Sequence, residues 1–552
     1  MNTATTPARS DPLPEFYYLA NFRTALAWLS QRYADLLSIE EQAFIDHFAL
    51  LAQPSQALLV RMIMRRGSHF RLSKLSYAEI GDCLQAAQPL LAHNWLSTEA
   101  LLTAEELAEL LRKDEMLSHL TLPDQRKSQS KAALSEQLVA LAQQPQSFRQ
   151  WCPALDDQLL SLQISELCDR LRLMFFGNLG QDWSEFVLAD LGIYRYEAVD
   201  ISPQSRGFQS RQDIEDYLLL RDLRQQAEQG AELTAIVAPL LAFSSNNPYL
   251  AQRQSRLLFQ LGQQLEKAGE LEQALALYQR SQHGQARWRQ VRVLELLGRD
   301  NQALEQAEAF AQKPGSDEES QRLARALTRL RRRLGLSQSK PAKAFAEVRM
   351  DLVLDQPEHG SVEWAVLEHL HSESAPVFYL ENTLLCSLFG LLCWEAIFAP
   401  LPGAFFHPFH SAPVDLYSDD FVPRRQQLFS DCLARLDQPD YPYLMLARYQ
   451  EKYATQSPFV FWQMLDEPLL KLALACIPAA HLRVCFSRLL RDLKANRAGM
   501  PDLIQFYPER NSYRMIEVKG PGDRLQDNQK RWLNFAAEQG IAVEVCYVSW
   551  RA

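Results

Sequence analysis

Residues 499–548 read GMPDLIQFYPERNSYRMIEVKGPGDRLQDNQKRWLNFAAEQGIAVEVCYV, and this stretch decides the fold of the C-terminal part of the chain. Asp502 opens an apolar run, LIQFY, and the PERNS that follows at 508–512 has turn composition. Residues 513–519 then form a second strand. Side chains alternate across a strand, so Glu517 and Lys519 share one face while Ile516 and Val518 share the other. Gly520-Pro-Gly522 ends that strand. Asp523 is expected to cap the next helix, with Gln526 three residues on. Leu525, Gln529, Trp532, Leu533 and Ala536 keep helical spacing up to Gly540. Residues 542–549 give a last strand, so the order is strand, strand, helix, strand.

This hairpin places Asp502 and Glu517 side by side at its mouth. Two carboxylates there repel unless a cation lies between them, and oxygen ligands suit Mg²⁺ or Mn²⁺, as one ion or two. Such an ion activates water and neutralises charge on a phosphate. Lys519, on the same side, is suited to hold the attacking water or the phosphate. The carbonyl of Val518 is a further candidate ligand, and Gln529 a candidate support for Lys519 or the phosphate. The chemistry this favours is phosphodiester hydrolysis.

With 552 residues the chain exceeds a single core, and 47% hydrophobic with 22% charged residues is ordinary globular composition. The net charge of −10 excludes a uniformly basic nucleic-acid coat. Between 491 and 531, however, nine Lys/Arg face six Asp/Glu, a local positive excess. Nine cysteines without a CxxC pair argue against a disulfide framework and a zinc finger. No basic-then-apolar signal segment is read at the N-terminus, and residues 1–14 read as a loose tail. The longest apolar run, LLCSLFGLLCWEAIF at 384–398, is shorter than a membrane span and carries Glu395. It is expected to be a buried core helix, and the cytoplasm is the expected compartment.

Upstream, residues 15–95 are helical in pattern. Arg61, Arg65, Arg66, Arg71 and Lys74 form a basic patch there, either a solvated face or a phosphate contact. Thr103 with Glu106 makes a capping box before a helix. A second helix follows a turn bearing Lys127 and Lys131, and the pair resembles a SAP module, a small binder of DNA backbone. Residues 150–235 read as helices with a few short strands. Gly298 and Ala303 follow Gly269 and Ala274 at one constant offset, shorter than the ~34 residues of the standard tetratricopeptide repeat, and predict an irregular array of helical hairpins. The array ends in a helix with Arg322, Arg325, Arg329 and Arg332 on one stripe and no acid among them, a candidate phosphate contact. Residues 335–341 read as a linker. His407 and His410, in FFHPFH, lack a third ligand partner and are read as a packed loop.

PD followed by ExK resembles the motif of the PD-(D/E)xK nuclease superfamily. More specifically, GMPDL, IEVKGPGDRLQDNQKRWL and VEVCYV resemble the VRR-NUC domain of the Fanconi-associated nucleases. Leu380-Glu381-Asn382-Thr383 and the SLFGLLCWEAIF behind it resemble the helix that opens this domain. APVDLYSDDF at 412–421 and the stretch at 175–197 resemble the family as well. The resemblance implies a metal-dependent nuclease that cuts branched DNA near a 5′ flap and degrades 5′ to 3′ in interstrand-crosslink repair. It also implies that Glu381 binds metal with Asp502 and Glu517, and that Lys494 and Arg497 contact phosphate. Animal members have Gly-Glu-Gly where this chain has Leu-Glu-Asn, and a basic residue where Asn528 stands. The sequence holds no ubiquitin-binding zinc finger, so recruitment by a ubiquitylated partner is not implied.

The expected architecture is multidomain. Mostly α-helical N-terminal and middle regions (1–95 helical, 96–235 SAP-like, 236–345 helical array) precede a C-terminal α/β PD-(D/E)xK domain at 346–552. The expected partner is branched or flapped DNA, with no membrane; monomer and dimer stay open. A Holliday-junction resolvase-like enzyme and an inactive DNA-binding scaffold are the alternatives.

Overall fold

The computed structural model describes residues 15–123, 125–141, 144–181, 183, 194–337 and 347–551. The loose tail expected at 1–14, most of the family-like stretch at 184–193 and the second half of the expected linker lie outside the described residues. The chain forms two compact units, Met1–Tyr194 and Arg195–Ala552.

In the first unit, helices Tyr17–Arg32, Ile39–Leu50, Gln53–Ile63 and Cys83–Ala92 carry the expected helical pattern. One of the short strands expected at 150–235, Leu159–Leu162, lies between His69–Arg71 and Leu96–Ser97 in a three-stranded antiparallel sheet; those two strands, in or at the end of the region read as helical, were not expected. The capping box forms, with the Glu106 carboxylate accepting from Thr103 N at 2.8 Å and Thr103 Oγ1 accepting from Glu106 N at 3.3 Å. Helices Ala104–Leu110 and Lys131–Leu141, with a short intervening helix Lys113–His119, close over Leu107, Met116, Leu134, Leu138 and Phe148.

In the second unit, helices Arg211–Glu228 and Leu233–Ala242 precede a run of packed helices. Pro248–Ala268, Leu271–Arg280, Ala286–Leu296, Asp300–Gln312 and Asp317–Arg333 each pack on the next. Gly269 (φ +84°) and Gly298 (φ +71°) turn the chain in the left-handed conformation that Gly adopts at least cost. Ala274 and Ala303, on the helices that follow these turns, are fully buried. The constant offset in the sequence thus marks equivalent turns of successive hairpins.

The nuclease-like core follows. It comprises β1 (Arg349–Leu354), α1 (Val362–Leu370), β2 (Val377–Tyr379), α2 (Leu384–Leu392), β3 (Leu503–Tyr507), β4 (Ser512–Lys519), α3 (Asp527–Glu538) and β5 (Val543–Trp550). The sheet order is β1-β5-β4-β3-β2. β3 pairs antiparallel with β4 and β2, while β5 runs parallel to β4 and β1. Parallel neighbours need a crossover, and α3 supplies it between β4 and β5. One face is apolar: Val366 of α1 packs with Leu503, Ile516, Val518, Cys546 and Val548. β1 and β2 were not anticipated, although alternating Met350, Leu352 and Leu354 carried the period-2 signal of a strand.

A helical insert from α2 to helix Ala479–Arg491 separates β2 from β3. The run at 384–398 is buried as expected, but it breaks at Cys393 into α2 and a short helix Trp394–Ile397. Its one acid, Glu395, points outward to Arg448 at 2.6 Å. No single described helix is long and apolar enough to cross a membrane, although the bent pair Glu467–Cys476 and Ala479–Arg491 passes by length and composition together.

Arg488 of the insert braces α3. Its guanidinium is buried against the rings of Trp532 (4.9 Å) and Phe535 (4.7 Å) and pairs with Asp317 of the last array helix at 2.9 Å. Asp317→Ala leaves that charge buried without its partner and is expected to cost about 3 kcal/mol in a urea titration. A loss below about 1 kcal/mol would reduce the pair to an ordinary surface ion pair.

Candidate active site

The β3–β4 register sets Leu503 opposite Ile516, so the residues one step beyond the paired end, Asp502 and Glu517, face each other. Asp502 Oδ2 accepts the Val518 N–H at 2.8 Å, and the Asp502 carbonyl accepts the Leu380 N–H at 3.1 Å. The second bond ties the turn after β2 to the start of β3. On that turn Glu381 accepts from Asn382 Nδ2 (2.8 Å) and from the Tyr379 hydroxyl (3.4 Å), while Asn382 Oδ1 accepts the Met500 N–H at 3.1 Å. Glu381 was expected at a helix start. It lies on the turn instead, and α2 begins only at Leu384. Asn382 sits at φ +58°, a conformation that Gly and Asn tolerate best. Asn in this chain and Gly in the animal family members meet the same backbone demand.

Asp502, Glu517 and Lys519 are all buried, Glu517 completely. Lys519 Nζ lies 2.8 Å from Glu517 Oε1 as its ion-pair partner, and neither Glu517 oxygen has another donor among the described residues. Burial, then the charge of Asp502, pushes the Glu517 carboxyl up to about 8, with Lys519 opposing. Burial likewise raises Asp502 to about 6, with Glu381 and Glu363 adding to the rise and the Val518 N–H and Lys519 opposing it. The cluster holds more negative charge than one lysine balances. Among the described residues, no three Asp, Glu, His or Cys side chains already stand as a closed metal-ligand set. The donor set nevertheless fits a hard cation: buried carboxylate oxygens short of donors are the groups such an ion would satisfy.

Two members of the site escaped the sequence reading. Glu363, in the first turn of α1, acts on Asp502 and Tyr379 through its charge. Tyr379 ends β2 and its hydroxyl is pushed up to about 12 by burial and by Glu381, Glu363 and Asp502. Apolar Val362, Val366 and Leu370 at helical spacing marked α1, but nothing in the spacing tied it to a motif more than a hundred residues away.

Other expectations need correction. Asp523 does not cap α3. It accepts the Gly520 N–H at 3.0 Å inside the turn, and Gln526 is the cap. Gln529 lies one turn into α3, as expected, at its third position, where its Oε1 accepts the Gln526 N–H at 2.8 Å. The arginine stripe has no acid between 322 and 333, yet acids from its own first turn and from elsewhere in the chain meet it. Arg322 pairs with Glu318, Arg325 with Asp527 at 2.9 Å, and Arg329 with Glu295 through two 2.8 Å bonds. Arg332 is the member with no partner among the described residues. Arg497 also turns inward, to the Tyr417 hydroxyl and the Pro458 carbonyl, with Phe459 under its guanidinium at 4.7 Å. Lys494 and Lys127 are exposed, as is Lys131, whose Nζ reaches the Glu109 carbonyl at 3.5 Å.

The upstream basic patch divides. Arg61 pairs with Glu79 at 2.5 Å, and Arg71 is buried between Glu115 (2.6 Å) and Asp157 (2.7 Å). Arg65, Arg66 and Lys74 line a cleft of about 470 Å³ with Glu106 and Glu109. His407 and His410 are stacked at 3.9 Å in a buried loop. Each accepts a backbone N–H, and burial lowers His410 to about 4.

Residues 440–550 match the family model of the VRR-NUC domain, which makes the class of this fold and site that of a nuclease. Residues 16–97 match the FAN1 HTH domain, and residues 101–151 the Fanconi anemia-associated nuclease SAP domain. The Fanconi-associated nuclease 1 homolog of Pseudomonas aeruginosa is 52% identical over 99% of this chain and 98% of its own length. Human Fanconi-associated nuclease 1 is 24% identical over 96% of this chain and 62% of its own length. The crystal structure of paFAN1 bound to DNA with a 2-nucleotide 5′ flap and a gap superposes with a TM-score of 0.89, at 52% identity, over 98% of this chain and 100% of that one. This chain belongs to the Fanconi-associated nuclease family and is a DNA nuclease.

The raised carboxyls carry a sign. A carboxyl whose folded pKa exceeds the unfolded one makes the fold progressively less stable as pH rises from the unfolded value. For Glu517 that window runs from its ordinary 4.5 to about 8. Without divalent metal, Glu517→Gln is therefore expected to melt above the wild type at pH 8, with the gap closing toward pH 4.5. Equal melting temperatures throughout that window would show that Glu517 carries no such strain.

Proposed function

We propose that this protein is a structure-selective, Mg²⁺- or Mn²⁺-dependent DNA nuclease that incises near a 5′ flap, degrades 5′ to 3′ and acts in interstrand-crosslink repair. The observation that carries the reading is the buried Asp502–Glu517–Lys519 cluster with donor-poor carboxylate oxygens, reached by Glu381 from a separate turn. The similarity to paFAN1, whose crystal structure is bound to 5′-flap DNA, supports the substrate.

In this reading Glu381, Asp502 and Glu517, with the Val518 carbonyl, hold the metal. When bound, the ion supplies Lewis-acid activation of water and neutralises charge on the scissile phosphate. The protein does the rest. The Val518 N–H fixes one Asp502 oxygen, leaving the other to point into the site. The Asn382 amide orients Glu381. Metal binding would relieve Glu517 of its need for Lys519, freeing the ammonium to hold the attacking water or to meet the negative charge that develops on the phosphate. Glu363 adds negative potential at the same mouth. Lys494, Lys127, Lys131 and Arg332 are proposed as backbone contacts, which position DNA without reading its sequence. A cytoplasmic location and the four-segment division belong to the same reading.

The test incubates wild-type protein and Lys519→Ala with labelled 5′-flap, 3′-flap and four-way-junction DNA in Mn²⁺. The wild type is expected to cut the 5′ flap, and the variant to lose about 10²–10³ in kcat while binding is kept. Preferred cutting of the four-way junction would overturn the flap assignment, and a fully active variant would overturn the role of Lys519.

A further inference from the structure

Arg497 holds a surface aromatic ring beside the site. Tyr417 is 53% exposed, and its hydroxyl accepts a hydrogen bond from Arg497 Nη1. The other arm of Arg497 donates to the Pro458 carbonyl, so one partly buried guanidinium joins the 412–421 loop to the 458–464 loop. That second loop exposes Phe461 (37%) and Met464 (43%).

The ring is mounted on a stiff turn. Asp415 takes Arg425 through two bonds, of 2.8 and 3.0 Å, and Arg424 at 2.9 Å; Arg425 is itself fully buried. Ser418 closes the turn on the Asp415 carbonyl, by its N–H at 2.9 Å and its hydroxyl at 2.7 Å. The platform is also tethered to the catalytic end of the sheet. Arg497 lies three residues before Met500, whose N–H is bound by Asn382, the residue that holds Glu381. The five residues from Arg497 to Asp502 span at most ~18 Å, and the Arg497 and Tyr417 side chains add to that reach, so Tyr417 lies along the strand that carries a phosphate held at Asp502 and Glu517 rather than on that phosphate.

We propose that Tyr417, held by Arg497, is a stacking platform for an unpaired base of the DNA strand being cut. This rests on the nuclease reading above. An aromatic face takes any base, so the platform favours single-stranded character beside the scissile phosphate without reading sequence. Arg497 is then a positioning residue, acting through Tyr417 rather than on a phosphate.

The experiment measures binding of full-length protein by fluorescence anisotropy without divalent metal. The probes are a 5′-flap duplex and versions with an abasic site at each of the first three unpaired nucleotides. Tyr417→Ala is expected to weaken binding of the intact flap about tenfold, as loss of one base stack does, and Tyr417→Phe to recover most of that loss. At one of the three positions, an abasic site should cost the wild type a similar factor and cost Tyr417→Ala nothing more, because ring and base form a single contact. Penalties that multiply at all three positions, or a Tyr417→Ala protein that binds like the wild type, overturn the platform. The same wild-type sample is then supplied with Mn²⁺. Flap cleavage there confines such a failure to the platform, while a wild type that neither binds nor cuts the flap overturns the nuclease reading and the platform with it.

Discussion

Asp502 and Glu517 are two buried carboxylates set opposite one another at the end of a hairpin, and their mutual repulsion is what the surrounding structure has to contain. Both are buried, which weakens screening by solvent. One Asp502 oxygen is satisfied by a backbone N–H, and Glu517 has only the nearby charge of Lys519. Such an arrangement persists because the sheet beneath is held by apolar contacts that do not depend on it. Ile516 and Val518 alternate with Glu517 and Lys519, so the strand that presents the charges also buries its other face against Val366, Cys546 and Val548. Strain at the mouth is thereby offset by packing on the opposite face of the same eight residues.

The helical parts of the second unit act on the site through α3. Arg488 reaches from the insert to sandwich itself against two rings of α3, and Asp317 reaches from the array to neutralise it. Arg325 to Asp527 and Arg531 to Gln321 (2.7 Å) join the same helix to the array again. α3 is the crossover that fixes β5 beside β4, so the array braces the crossover that orders the catalytic strand.

The hairpin, its helix and the last strand were legible in the sequence because their signals are local. Alternation, turn residues and helical spacing all fall within fifty consecutive residues. Glu381 could be reached only through family resemblance, since the insert separates it from Asp502 and no spacing rule crosses such a gap. Glu363 was invisible for the same reason. The arginine stripe shows the converse failure. No acid lies between Arg322 and Arg333, although Glu318 in the first turn of the same helix pairs with Arg322, and a free basic face was read from that stretch. Charge balance is set in three dimensions, however, and Glu295 and Asp527 arrive from elsewhere in the chain. Gln529 was placed on the right helix, but the helix starts later than Asp523 suggested, which turns a side chain expected in the site into a cap.

These pairings bear on how an acidic protein engages a polyanion. With Arg322, Arg325, Arg329 and Arg497 already committed to internal partners, few cations remain to displace counterions from DNA. Among the described residues Lys494 and Arg332 in the second unit have no such ties, and on the proposed reading they and Lys127 of the first unit are backbone contacts. Scattered contacts of this kind give modest, salt-sensitive affinity for any duplex and no sequence code. Selectivity then has to come from geometry. On the proposed reading, a strand that is free to bend away from its duplex reaches the carboxylate mouth with less deformation than an intact helix.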